Sequence, residues 1–150
     1  MEKKDFCKFI QRYLCDKGFE KIKERFYKNG NSFLCEVFVQ KSAYGERYYI
    51  NFNFYLGDFK RPYEIDRGGW QTHTPYVGGR FFFNQLTGYS CEYVDYDKEQ
   101  LLKVLDQNMK MVILPPFDTG KQYLLNHFGT LYQTFLNNEE IIRLLIGKTD

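Results

Sequence analysis

Arg47-Tyr48-Tyr49-Ile50-Asn51-Phe52-Asn53-Phe54-Tyr55-Leu56 alternates without a break: Tyr48, Ile50, Phe52, Phe54 and Leu56 fall on one side, Tyr49, Asn51, Asn53 and Tyr55 on the other. A period of two is that of a β-strand whose faces meet different surroundings. The first side needs a core; the second carries phenols and amides, suited to water, a covering helix or a ligand. Upstream, Ser42-Ala43-Tyr44-Gly45 reads as a turn, and Phe33-Leu34-Cys35-Glu36-Val37-Phe38-Val39-Gln40 as a strand before it. Asn29-Gly30 then separates that strand from Arg25-Phe26-Tyr27-Lys28. Asn-Gly suits a two-residue hairpin turn, because both central positions of its commonest form need positive φ. Three antiparallel strands joined by short turns follow. Before them, Phe6, Phe9, Ile10, Tyr13 and Leu14 recur at helical spacing, so Lys4–Lys17 is an amphipathic helix. Gly18 should close it in the left-handed conformation, with Phe19 as the accompanying apolar contact.

Downstream, residues 57–80 hold many breakers, among them Arg61-Pro62, Gly68-Gly69, Pro75 and Gly78-Gly79, and keep neither period. The stretch reads as a long loop that could conceal one short strand. Phe81-Phe82-Phe83 and Tyr89-Ser90-Cys91-Glu92-Tyr93-Val94 read as one or two further strands. Asp97 with Gln100 marks a helix start, and Leu101, Leu102, Leu105, Met109 and Val112 carry the helix to a stop at Pro115-Pro116. Thr119 with Gln122 repeats the start signal for a helix with Tyr123, Leu124 and Phe128 that ends near Gly129. A last helical segment runs through Asn137, Glu140, Ile141, Ile142, Leu144 and Leu145. Helix, strands, then helices is an α+β order: an antiparallel sheet of four to five strands, with the helices mainly on one face.

One domain over residues 1–150 is expected from a chain of this length with 43% hydrophobic residues. Aromatics at 19%, with ordinary glycine and proline, exclude disordered and collagen-like classes. Lys+Arg 21 against Asp+Glu 19 is too small a surplus to attract nucleic acid or a membrane through bulk charge. The first thirty residues are the more basic end, and Lys4, Lys8 and Arg12 line one helix face, read here as solvated rather than phosphate-binding. Neither a secretory signal nor a membrane span is expected, so the chain reads as cytoplasmic. Cys7, Cys15, Cys35 and Cys91 form no C-x-x-C pair and are read as reduced thiols.

Constellations that carry chemistry are sparse. His73 and His127 are far apart and have no cysteine pair beside them, so neither a metal nor any other cofactor is expected. No G-x-S-x-G elbow or phosphate loop is present. A small hydrolase using His73 with the loop carboxylates Asp58, Glu64 and Asp66, or with Cys35 or Cys91 as nucleophile, is the competing enzymatic reading. A single-stranded RNA binder stacking bases on Tyr49 and Tyr55 is a third, against which stands asparagine, not a basic residue, between the tyrosines. The leading reading is a non-enzymatic binding module in which Tyr49, Asn51, Asn53 and Tyr55 combine with Trp70, His73 and Arg80 from the long loop. Tyr, Trp and Arg bury large area while keeping a polar handle. The partner is a protein or a small ligand, and the chain a monomer or a homodimer.

Gly18-Phe19, Phe26-Tyr27, Gln40-Lys41-Ser42 and Tyr49-Ile50-Asn51 resemble the motifs of a family of small bacterial proteins classed as a domain of unknown function. The resemblance covers residues 5–56, and Gly79-Arg80-Phe81 looks like an arginine that follows the family's variable loop. It implies a single bacterial α+β domain without an activity to carry over. Similar small domains occur among immunity proteins that neutralise toxins, which implies a protein partner.

Overall fold

The structure, a computed structural model, describes residues 1–59, 74–134 and 138–146. Helix α1 spans Lys3–Asp16 and buries Phe6, Ile10, Tyr13 and Leu14, while Lys4, Lys8 and Arg12 lie exposed on its outer side. Its end is a Schellman motif. Gly18 takes φ +90°, its N–H donates to the Cys15 carbonyl, and the N–H of buried Phe19 donates to that of Leu14. The chain then lays down β1 (Glu20–Ile22), β2 (Arg25–Asn29), β3 (Phe33–Lys41), β4 (Tyr48–Leu56) and β5 (Tyr76–Arg80). They pair in chain order, every neighbour antiparallel.

Two local expectations shift. The β2–β3 turn lies beyond Asn29-Gly30: Asn29 pairs with Leu34 and the positive φ falls on Ser32. Gly30 is required for a different reason, since a Cβ there would run into the Phe33 ring. The fifth strand is the one concealed in the 57–80 stretch, not Phe81-Phe82-Phe83 or Tyr89–Val94. The chain leaves the sheet after the Phe81 N–H donates to the Ile50 carbonyl, and Tyr93–Asp95 is a turn of 3₁₀-helix. Gly78, which reads as a breaker, sits inside β5 because a Cβ would strike the Phe52 carbonyl oxygen and the Asn53 side-chain amide.

Helix α2 (Lys98–Asn108) opens on the expected capping box: the Gln100 N–H donates to Asp97 Oδ1 at 2.8 Å and the Asp97 N–H to Gln100 Oε1 at 3.0 Å. The chain does not stop at Pro115-Pro116. A π-helical turn (Met109–Ile113) leads into α3 (Leu114–Thr119), which accommodates both prolines in its first turn. Prolines at 115 and 116 cannot donate to the carbonyls of Met111 and Val112, four residues back. Tyr123 Oη donates to the Met111 carbonyl at 2.7 Å and Tyr132 Oη to that of Val112 at 2.8 Å, so two distant hydroxyls satisfy these acceptors. Tyr132→Phe is therefore expected to cost about 1–3 kcal/mol in urea unfolding, the penalty of a buried acceptor left unmet. A loss within experimental error would remove this account of the prolines. Thr119 turns out to close α3, its Oγ1 donating to the Pro115 carbonyl. Gly120, at φ +83°, precedes α4 (Lys121–Asn126), and α5 (Asn138–Ile146) completes the described chain. Asn137 lies outside the described residues.

The core side of the sheet carries Phe33, Cys35, Val37, Ile50, Phe52, Phe54 and Val77, joined by Phe6, Phe81, Leu101 and Tyr132. Its rings meet edge to face and in tilted stacks, as Phe33 does with Phe54 at 5.4 Å and with Phe117 at 4.9 Å. Such ring pairs add to the stability that area burial supplies.

Candidate functional site

The other side of the sheet divides into a closed end and an open end. Strand register decides the division, because Tyr27 pairs with Glu36 and Glu36 with Asn53, placing the glutamate of β3 between a phenol and an amide. At the closed end Tyr27, Leu34 and Tyr55 form a second small cluster with Ile22, Phe59 and Tyr76 against it. Glu36 is 0% exposed. Its Oε1 accepts from Arg25 Nη1 at 3.1 Å, Asn53 Nδ2 at 3.0 Å and Tyr55 Oη at 3.0 Å, and its Oε2 from Tyr27 Oη at 2.7 Å. Buried charge is tolerated only with such pairing. Burial, then the Glu36 charge and hydrogen bond, push the Tyr55 phenol far above its ordinary range.

At the open end Arg80 stands on the outermost strand. Its Nε donates to Asn51 Oδ1 at 2.8 Å and its Nη2 to Gln40 Oε1 at 3.2 Å. Asn51 Nδ2 also donates to Gln40 Oε1, at 2.8 Å, and the guanidinium lies 4.2 Å from the centre of the Tyr49 ring. A matching pair sits alongside, with the Arg25 guanidinium 3.9 Å from the Phe38 ring centre. Between these groups and the segment at Gln133-Thr134 opens a cleft of about 530 Å³, bordered by Phe38, Asn53, Gly78 and Arg80. Gly78 exchanges two backbone hydrogen bonds with Gln133, each 2.8 Å. Beyond that bridge lies a second cleft of about 320 Å³ with Phe82, Tyr89, Met111 and Leu131 in its wall. Asn108 there is committed to structure, since its amide bonds the Phe82 N–H and carbonyl and the Val104 carbonyl.

Tyr49, Asn51, Asn53 and Arg80 thus converge at one end of one sheet face, with Asn53 on the border, while Tyr55 lies 3% exposed in the closed end. Trp70 and His73 lie outside the described residues, as do Glu64 and Asp66. Sequence reading missed Arg25, Tyr27, Glu36, Phe38 and Gln40. The alternation of β3, carried through the register of its hairpin with β4, was the signal that could have found the last three.

Cys35 lies wholly inside the core, where burial and the neighbouring Glu36 push its thiol well above the ordinary range, outweighing the opposite pull of Lys28. That is the opposite of the thiolate a nucleophile needs. Cys91 is likewise buried, with its thiol pushed up to about 12 by burial, then by Asp95 and Glu92. All four cysteines are free, and among the described residues no three His, Cys, Asp or Glu side chains converge as a metal site would need. No helix of the described residues is long and apolar enough to cross a membrane.

Residues 10–118 match the model of a family described as a domain of unknown function, DUF4304. The match reaches well beyond residues 5–56 and takes in all five strands, Arg80 and α2. No curated protein and no solved structure matches the chain.

Proposed function

We propose that this chain, which belongs to the DUF4304 family of domains of unknown function, is a non-enzymatic binding module that takes a protein partner on the open end of its sheet. The observation that carries the reading is the Arg80–Tyr49 stack, held in place by Asn51 and Gln40 beside an open cleft. Arginine and tyrosine are the residue types that concentrate binding energy, because they bring large contact area and directed hydrogen bonds. Here the arginine is already hydrogen-bonded and stacked within the protein, an arrangement that lowers the entropy cost of association. The buried Glu36 network beneath supports the same reading, since it fixes the Asn53 amide at the border of the cleft.

The test is native mass spectrometry on the chain gently purified from its own host, side by side with Tyr49→Ala and Arg80→Ala. A polypeptide mass is expected on the native chain and not on either variant, with circular dichroism spectra unchanged. Loss of that mass only where the fold is also lost, or its retention on both variants, would sink the reading. A small-molecule adduct in its place would redirect it to a ligand site.

A further inference from the structure

The charge balance of the open end narrows the partner's chemistry, an inference that rests on the binding reading above. Its two arginines differ. Arg25 lies 3.1 Å from the buried Glu36 carboxylate, which neutralises it within the protein. Arg80 is held only by the neutral amide oxygens of Asn51 and Gln40 and by the face of Tyr49, and among the described residues no carboxylate pairs with it. Amide oxygens orient a guanidinium without cancelling its charge. Of its five N–H groups these two bonds use two, so donors remain for a planar acceptor. Among the described residues the cleft beside it is otherwise bordered by uncharged ones, Phe38, Asn53, Gly78 and Gln133 among them, so the charge they present there is positive.

A second feature favours a peptide over a free acid. The Phe81 N–H to Ile50 and the Leu56 N–H to Pro75 set the phase of the β4–β5 ladder. With alternation, Tyr76, Gly78 and Arg80 then direct their backbone N–H and carbonyl groups away from β4. Gln133 takes those of Gly78 and the Asn108 amide those of Phe82, so the N–H and carbonyl of Arg80 are a single open pair between two occupied ones, on the residue whose guanidinium borders the cleft. One residue of a partner's chain can bond that pair while setting an acidic side chain on the cation, which a free acid has no backbone to do. We infer that the open end recognises an acidic peptide segment of a protein partner, with Arg80 receiving a carboxylate and Tyr49 and Phe38 supplying the apolar contact.

The probe is a terminally blocked tetraglutamate peptide, compared with blocked tetraglutamine and with glutarate at equal ionic strength. The readout is the NMR signals of the Arg80 side-chain N–H and of the Asn51 and Gln40 amides. Tetraglutamate is expected to shift these signals saturably, and at least about tenfold more tightly than tetraglutamine. The affinity should weaken several-fold as salt rises from about 50 to about 500 mM. Arg80→Gln should abolish the response while leaving the rest of the spectrum in place. Absence of saturation by about 20 mM, equal shifts with tetraglutamine, or shifts that survive Arg80→Gln would overturn the inference. Glutarate binding as tightly as the peptide would also overturn it, in favour of a small-carboxylate site. Failure here is distinguishable from failure of the broader reading. If the polypeptide mass is lost with Tyr49→Ala and kept with Arg80→Gln, a partner binds this face without a carboxylate, whereas retention on both removes the face altogether.

Discussion

Glu36→Ala is expected to lower stability by about 3–5 kcal/mol, because it leaves two buried phenols and a half-buried amide without their acceptor, at about 1–3 kcal/mol each. At this chain length that is a fall in melting temperature on the order of 10 °C. The size follows from how many groups the carboxylate serves. A guanidinium, an amide and two phenols donate to it at 2.7 to 3.1 Å, and alanine takes that acceptor from all four at once while opening a hole in the second cluster. Glu36→Gln keeps the shape and one acceptor oxygen but turns an N–H₂ toward groups that are themselves donors, so about half the loss is expected. Arg25→Ala should cost less than Glu36→Ala, because the carboxylate it leaves without a counter-charge still accepts from Tyr27, Asn53 and Tyr55. Urea and thermal unfolding of the three variants give the comparison. If Glu36→Ala stays within about 1 kcal/mol of the native chain, the carboxylate does not organise this face. Because Asn53 borders the cleft and donates to Glu36, the alanine variant should also loosen the open end.

Local signals were legible wherever the chain satisfies its own backbone within a few residues. The Gly18 closure of α1, the Asp97–Gln100 box and the alternation of β4 all depend on neighbours close in sequence, and each lies where its residues indicate. Two of the misreadings occur where a distant group supplies what the local sequence lacks. Pro115-Pro116 reads as a stop because two N–H groups are missing, yet the carbonyls they would have met are bonded by Tyr123 and Tyr132, 12 and 20 residues further on. Gly78-Gly79 reads as a breaker because glycine weakens strands, yet the close approach of Asn53 and the Phe52 carbonyl demands a glycine in β5. The candidate site divides the same way. Side alternation placed Tyr49, Asn51 and Asn53 together, but only register across the sheet shows Tyr55 turned in on Glu36 and Arg80 turned out over Tyr49.

Raising the pH is expected to unfold the chain cooperatively between about pH 10 and 11, the second large effect. Four of the buried groups whose ionisation burial opposes are enough to set the sign. The thiols of Cys35 and Cys91 and the phenols of Tyr55 and Tyr132 are all held above their ordinary values of 9.0 and 10.0, with burial the first cause in each. The folded state therefore favours the protonated form. That contribution is fully present below the ordinary values and is lost as the pH climbs past them toward the raised ones, because the unfolded chain gives up protons that the folded chain keeps. Each group contributes about 1.4 kcal/mol per pH unit beyond its ordinary value. The losses of the four add, and the whole stability of a domain is only about 5–15 kcal/mol, so the fold gives way once the pH has climbed past the ordinary values. Under reducing conditions, phenolate absorbance and near-ultraviolet circular dichroism should change in one coincident step. Smooth titration of all 13 tyrosines while the dichroism persists would show that Tyr55 and Tyr132 are not buried as described. Cys91→Ala separates the ionisation from the packing: it should lower stability at neutral pH, through a small cavity, yet lose less than the native chain with each further pH unit above about 9, because one proton-holding group is gone.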